Sequence, residues 1–160
     1  MVRENKVKNV RVLDQVTLES TEAVTQKATS RVVVDTYFSD QINLSCKYLT
    51  GATETNNNAY IKVWGYIGQK SETTSHPYSS AKDTSIKEDE DNWIQLGTYD
   101  ISSGTATFTP TLLKIAGAAG ETTYDAHFAF GITMPKIRVS AYEDGVASNK
   151  GRLTVVVLVQ

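Results

Sequence analysis

The sequence is poor in the residues on which most catalytic and metal sites depend. Among its 160 residues are one cysteine, Cys46, and two histidines, His76 and His127. A single cysteine cannot form an intramolecular disulfide, and it excludes zinc and iron–sulfur sites that need several thiolates. Histidine is the commonest general acid or base in enzymes, so its scarcity counts against catalysis. We therefore expect a protein that is not an enzyme and that holds no cofactor and no metal.

Long apolar runs and a large excess of one charge are also absent. The longest apolar run, residues 155–159, is far shorter than the roughly 20 residues that cross a bilayer. Residues 1–12 lack the apolar middle region of a secretory signal. The formal net charge of -2 argues against non-specific binding to nucleic acid or to an anionic membrane, since both need a strong positive field. We expect neither nucleic acid nor membrane as a partner.

One acidic cluster is the only candidate for a cation site. The run Glu88, Asp89, Glu90 and Asp91 could offer oxygen ligands to Ca²⁺, but it lacks the spacing and the turn glycine of an EF-hand loop. A solvated acidic loop is the simpler interpretation. Binding of Ca²⁺ or of a basic partner remains the alternative.

Threonine, serine and valine are abundant, and their spacing predicts β-structure. Alternation of apolar and polar residues with period two predicts strands over residues 31–38, 41–49, 60–67, 92–101, 105–109, 122–130, 136–142 and 152–159. Short polar turns separate these segments. The turn at Ser39–Asp40 predicts a hairpin between the first two, and residues 143–151 predict a closing hairpin between the last two. Residues 111–117 predict one short helix, with a flexible loop at residues 117–120 as the alternative.

Eight or nine antiparallel strands with at most one short helix indicate an all-β fold. We predict a jelly-roll-like β-sandwich over residues 30–160, preceded by an extended N-terminal arm over residues 1–29. In the predicted strand at residues 60–67, Tyr60, Trp64 and Tyr66 share one face and Ile61 and Val63 share the other. Apolar bulk on both faces predicts a central strand or a subunit contact. Exposed rings on such a face would instead suit carbohydrate binding.

Charge is distributed unevenly along the chain. Residues 1–11 contain four basic residues against one acidic residue, a local balance of +3, whereas residues 83–100 contain six acidic residues against one basic residue, a balance of -5. The arm could therefore contact the acidic loop of a second copy. The residues proposed for partner binding are Arg3, Lys6, Val7, Lys8, Val10 and Arg11 in the arm and Glu88, Asp89, Glu90 and Asp91 in the loop.

The order of motifs over residues 58–159 resembles that of small all-β virion proteins of tailed bacteriophages. The segments that carry the resemblance are Asp91–Tyr99 (DNWIQLGTY), Gly104–Thr109 (GTATFT), Pro135–Tyr142 (PKIRVSAY) and Gly151–Val157 (GRLTVVV). The resemblance implies a non-enzymatic virion structural protein, assembled in the host cytoplasm, that acts as a capsid decoration (cement) protein or as a neck or tail accessory protein. It also implies a homo-oligomer, with a trimer favoured, that contacts a major capsid or neck protein. A carbohydrate-binding or host-recognition β-sandwich module is the alternative.

Overall fold

A computed structural model of the chain describes residues 8–18, 32–36, 39–52, 57–66, 93–100, 107–132, 134–144 and 150–159. These residues form eleven strands and no helix. The strands are β1 (Lys8–Thr17), β2 (Val34–Asp35), β3 (Gln41–Leu49), β4 (Asn58–Tyr66), β5 (Trp93–Gln95), β6 (Gly97–Asp100), β7 (Thr107–Pro110), β8 (Leu112–Ala116), β9 (Thr123–Gly131), β10 (Lys136–Asp144) and β11 (Arg152–Val159).

Two antiparallel sheets contain nine of the strands. The four-stranded sheet has the order β1-β11-β3-β9, and the five-stranded sheet has the order β2-β10-β4-β5, with β8 also paired to β4. Strands β6 and β7 form a separate two-stranded hairpin. The predicted all-β antiparallel sandwich is confirmed, while its jelly-roll connectivity stays a prediction.

The core lies between the two central strand pairs. Alternate residues of β3 and β11 are buried on one side, and alternate residues of β4 and β10 are buried on the other. The fully buried side chains include Ile42, Leu44, Tyr48, Leu153, Val155 and Val157 from the first pair and Ile61, Ile137 and Val139 from the second. Burial of a valine, leucine or isoleucine side chain stabilises a fold by about 1.5–3 kcal/mol, so this interior supplies the main driving force.

The predicted closing hairpin and the hairpin at Ser39–Asp40 are wrong. Strand β10 pairs with β4 and β2, whereas β11 pairs with β1 and β3, so the last two strands belong to different sheets. Strand β2 likewise pairs with β10, and β3 pairs with β11 and β9. Period-two alternation shows which face of a strand is buried, but it does not show which strand lies beside it.

The short helix predicted at residues 111–117 is also wrong. Residues Leu112–Ala116 form strand β8, which pairs with residues 58–62 of β4. Ile115 is buried in the core, and Leu113 packs against it from the same face. Pairing with the open edge of β4 therefore overrides the helical propensity of this segment.

The described part of the predicted arm, residues 8–18, lies inside the sandwich. Strand β1 pairs with β11 of the same chain, with two register shifts. Val12, Leu13 and Leu18 are buried in the common core. The apolar residues of this segment are thus buried within the chain. Residues 8–18 therefore belong to the sandwich and not to a separate arm.

One buried carboxylate connects the two sheets. Glu143, at the end of β10, is fully buried and accepts a hydrogen bond from the Tyr48 hydroxyl of β3 at 3.0 Å. It also accepts from the backbone N–H of Gly151, which precedes β11, at 3.1 Å. Buried carboxylates are tolerated only when polar partners replace their water, and here those partners come from the opposite sheet.

A side chain at position 151 should weaken this connection. A Cβ on Gly151 would lie 2.6 Å from Tyr48 Cε2 and 2.8 Å from Glu143 Oε2. We expect Gly151→Ala to lower the free energy of unfolding by roughly 1–3 kcal/mol, because overpacking shifts both groups. Gly131→Ala is the matched control, since its Cβ would lie 3.6 Å from the nearest atom, Asp40 O, which is ordinary contact. Urea unfolding measures both; equal losses in the two variants would contradict the packing argument.

Candidate functional site

The side of the five-stranded sheet that faces away from the core carries aromatic and cationic side chains. Strand β4 contributes alternate residues from position 60 to 66, β10 contributes alternate residues from 136 to 142, and β5 contributes Trp93. We call this surface the aromatic–cationic face, and its members are Tyr60, Lys62, Trp64, Tyr66, Trp93, Lys136, Arg138 and Tyr142.

The register of the sheet brings each cation onto a ring. The Arg138 guanidinium carbon lies 4.4 Å from the centroid of the Trp93 ring. Lys136 Nζ lies 5.5 Å from the Tyr66 ring, and Lys62 Nζ lies 5.5 Å from the Tyr142 ring. Such contacts are worth about 0.5–1 kcal/mol at exposed sites and more when desolvated. They also hold long, flexible side chains in place before any partner arrives.

The two tryptophans are the buried centre of this face. Trp64 is 3% exposed and Trp93 is 5% exposed, although both lie outside the main core. The Trp64 indole Nε1 donates to Ser140 Oγ at 2.8 Å, and Tyr66 packs edge-on against Trp93 with ring centroids 5.3 Å apart. The face is therefore rigid and interlocked, and its rings do not form one exposed coplanar platform.

A second, more open group lies at the other end of the face. Tyr60 stacks on Tyr142 with ring centroids 5.0 Å apart and an interplanar angle of 20°. The Tyr60 hydroxyl donates to Asp144 Oδ2 at 2.8 Å, and Asn58 donates to the same carboxylate from its backbone N–H at 2.6 Å and from its amide at 2.8 Å.

These hydrogen bonds change the acidity of both groups. Partial burial acts to raise the pKa of Asp144, but the donors of Asn58 and Tyr60 and the nearby Lys114 charge outweigh it and leave that pKa below its ordinary value. The hydrogen bond to Asp144 raises the pKa of Tyr60 above its ordinary value, since it favours the neutral phenol. Asp144 is thus held as a carboxylate that fixes the Tyr60 ring.

Two buried donors of β5 stand out beside the tryptophans. Within the described residues, Trp93 Nε1 and Gln95 Nε2 are buried and make no hydrogen bond. A buried donor without an acceptor costs about 1–3 kcal/mol, and few such groups occur in a native structure. Both belong to β5, the strand that pairs with residues 64–66 of β4.

The sequence predicted part of this surface. Tyr60, Trp64 and Tyr66 do share one face of a central strand, as their alternation indicated. Lys62, Lys136, Arg138 and Tyr142 were missed, because they join the face only through pairing between β4 and β10. The alternation of residues 136, 138, 140 and 142 in a predicted strand was the available signal, but it does not name the neighbouring strand.

Of the residues proposed for partner binding in the arm, the structure describes Lys8, Val10 and Arg11. Val10 is half-buried and packs against the core. Lys8 and Arg11 are exposed on β1, and Arg11 Nη1 lies 3.4 Å from Asp14 Oδ1 in an ion pair that is largely solvated. Arg3, Lys6, Val7, Glu88, Asp89, Glu90 and Asp91 lie outside the described residues, as does His76, so the contact between arm and acidic loop stays a prediction.

Among the described residues, the candidate catalytic and metal-binding side chains do not form a common site. Cys46 is buried in β3, and burial raises the pKa of its thiol to about 12, so the reactive thiolate is scarce at neutral pH. His127 is exposed on β9 on the same side as Asp125; within the described part of the chain, neither Ser45 opposite it nor Asp125 is hydrogen bonded to it. No group of three or more potential metal ligands occurs among the described residues. In that same part of the chain, there is no helix with the length and apolar character needed to span a membrane.

Comparisons with known proteins add no relative: no protein-family model, curated protein or solved structure matches the chain.

The Asp144 cluster predicts a pH dependence of stability. Because the folded state lowers the pKa of Asp144, its carboxylate stabilises the fold above the ordinary pKa of aspartate, about 3.9, and this stabilisation is lost as the pH falls through the lowered value. We expect Asp144→Asn to lower the free energy of unfolding by about 1 kcal/mol at neutral pH. The difference in this free energy between the variant and the natural chain should shrink as the pH falls. Urea midpoints measured across the acid range test this. Asp14→Asn, at an exposed carboxylate 3.4 Å from Arg11 Nη1, is the control and should change the urea midpoint little. A difference between Asp144→Asn and the natural chain that stays constant as the pH falls would contradict the assignment.

Proposed function

We propose that this chain is a non-enzymatic virion structural protein of a tailed bacteriophage, and specifically a capsid decoration protein that stabilises the head. The resemblance of residues 58–159 to small all-β virion proteins supplies this assignment. In this proposal the partners are further copies of the chain and a major capsid or neck protein, and the sandwich has jelly-roll connectivity. The protein is assembled in the host cytoplasm and resides on the virion.

The observation that supports adhesion best is the aromatic–cationic face. Aromatic residues and arginine are enriched in the buried centres of protein–protein interfaces, and binding energy concentrates on them. Here Arg138 is already held against the buried Trp93, so little of its side-chain entropy remains to be lost when a partner covers the exposed part of this face. Such a preorganised surface suits a protein whose task is to bind and stay bound.

The charges of the face indicate the chemistry of its partner. Lys136 lies over the ring of Tyr66, Arg138 over that of Trp93 and Lys62 over that of Tyr142, so the face carries three cationic donors. A protein surface that offers carboxylates or backbone carbonyls would complement this excess of donors. On a capsid, the same contact repeats over many symmetric positions, so modest individual affinities combine into strong retention.

The alternative of carbohydrate binding gains no support from the rings. Stacking on a sugar needs exposed, roughly coplanar aromatic faces, but Trp64 is buried and its indole N–H is already occupied by Ser140. Tyr66 and Trp93 meet at 60° instead of lying side by side. The arrangement suits burial against a protein better than a sugar platform.

Rebinding to particles tests this proposal. Particles of the encoding phage that lack the chain are mixed with purified protein, and the bound amount is measured after sedimentation. We expect the natural chain to bind, and Arg138→Ala and Lys136→Glu to bind at least about tenfold more weakly, since the loss of an interface anchor costs 2 kcal/mol or more.

The matched control is Lys47→Glu, an exposed lysine of β3 on the outside of the other sheet. It replaces a positive by a negative charge, as Lys136→Glu does, but it leaves the aromatic–cationic face intact, so binding to particles should be retained. Thermal unfolding of each variant confirms that the sandwich persists. Failure of the natural chain to bind would contradict the virion role, and an equal loss in Lys47→Glu would contradict the assignment to this face.

A further inference from the structure

Strand β9 is an edge strand with an unusually regular ladder. It pairs with β3 over all nine of its residues, Thr123–Gly131, without a register shift, and no described strand pairs with its other side. Natural proteins protect such edges with bulges, prolines or charges. The opposite edge strand, β1, shows that protection: it has two register shifts, a positive φ of 47° at Gln15, and an exposed pair of charges at Arg11 and Asp14.

Backbone hydrogen bonds at both ends of β9 show which of its backbone groups face β3. The N–H of Ile132 donates to Asp40 O at 3.1 Å, and the N–H of Thr50 donates to Thr122 O at 3.1 Å. Hydrogen-bonded pairs alternate along an antiparallel ladder, so the even-numbered residues of β9 direct their backbone groups toward β3. The backbone groups that point away from the sheet belong to the odd-numbered residues, including Thr123, Asp125, His127 and Ala129.

The side chains along this edge are of two kinds. Asp125 and His127 are exposed on the outside of the sheet, while Tyr124, Ala126 and Phe128 are half-buried on the core side. Phe128 also borders a cleft of about 590 Å³ between the edges of the two sheets, whose wall includes Leu96, Leu113 and Ile132. The edge therefore combines backbone donors and acceptors that no described strand pairs with and an apolar side that is only partly covered.

We propose that a second copy of the chain adds its β9 antiparallel to this edge, about a twofold axis through Ala126. In this register Asp125 lies opposite His127 of the second copy, and Tyr124 lies opposite Phe128 of the second copy. The symmetry repeats both pairs. An imidazole N–H donates to a carboxylate, and aromatic and polar cross-strand pairs each contribute about 0.2–1 kcal/mol.

The alternative register, centred on His127, is less complementary. It would set His127 opposite its own copy and Asp125 opposite Ala129, so the pair of Asp125 with His127 would be lost, while Tyr124 would lie opposite position 130. In registers that place even-numbered residues of one copy opposite odd-numbered residues of the other, the outward-directed N–H and C=O groups of the two strands would not lie opposite each other. The pair of Asp125 with His127 thus favours the register centred on Ala126, which joins two four-stranded sheets into one continuous sheet.

This pairing deepens the proposed function and rests on it, because it supplies the contact between copies that an adhesive virion protein needs. It specifies a dimer in solution, in place of the trimer that the resemblance favours. A twofold contact is isologous: each copy uses the same surface, so the assembly closes at two chains.

Cysteine cross-linking tests the register directly. Ala126 lies opposite Cys46 within the chain, so the test uses Ala126→Cys in a Cys46→Ala background. Across the twofold axis the two new cysteines would form a non-hydrogen-bonded pair with Cα atoms about 4.5 Å apart, which a disulfide can bridge. We expect a covalent dimer under mild oxidation.

Thr123→Cys in the same background is the control. In the proposed register, two residues at position 123 are offset by six positions, roughly 20 Å, so no cross-link should form. Absence of the Ala126→Cys cross-link, or equal cross-linking of Thr123→Cys, would overturn the register. Circular dichroism verifies that both variants keep the β fold.

A charge exchange tests the same contact without a cross-link. We expect His127→Asp, which sets like charges opposite each other twice, to weaken dimerisation in sedimentation equilibrium by roughly tenfold. Asp125→His should also weaken it, and the double variant Asp125→His/His127→Asp should restore it, because the opposite pair is rebuilt with its members exchanged.

Each outcome separates this inference from the proposed function. A chain that is monomeric or trimeric in solution, or a double variant as weak as the single ones, would overturn the β9 pairing even if the chain binds particles. A dimer with the expected exchange behaviour that fails to bind particles would overturn the virion role and leave the pairing intact.

Discussion

The packing of two sheets face to face is the constraint on which the rest of this molecule depends. Strands β3 and β11 on one side and β4 and β10 on the other each bury every second residue, and they can do so only by covering one another. Glu143 adds a polar connection across this interior, through Tyr48 and the backbone of Gly151. Apolar burial supplies the driving force, and the buried carboxylate limits how the sheets can shift against each other.

The inner face of the five-stranded sheet packs in the core, so only its outer face can contact a partner. Strands β4 and β10 are paired in unbroken register, so residues of the two strands stand in rows on that face. Those rows place Arg138 beside Trp64 and on Trp93, and Tyr142 beside Tyr60. The aromatic–cationic face is thus a consequence of strand pairing, and its rigidity follows from the rigidity of the sheet beneath it.

Alternation in the sequence was sufficient to predict the long strands and their buried faces, including the shared face of Tyr60, Trp64 and Tyr66. It was not sufficient to predict neighbours. Leu153, Val155 and Val157 alternate in the same way whether β11 pairs with β10 or faces it across the core, and the structure shows the second arrangement. Residues 112–116 have the composition of a helix, but the open edge of β4 makes them a strand. The partners of the predicted rings, such as Arg138, come from pairing that no local pattern specifies.

A three-dimensional map of the phage particle by cryo-electron microscopy tests the proposed virion role most directly. From the proposed virion role we predict density for the β-sandwich on the outside of the capsid, with the face around Arg138 and Lys136 buried against a capsid protein. This density should disappear from the map when the gene is deleted. Particles in which the chain is absent, or in which that face is turned toward solvent, would contradict it.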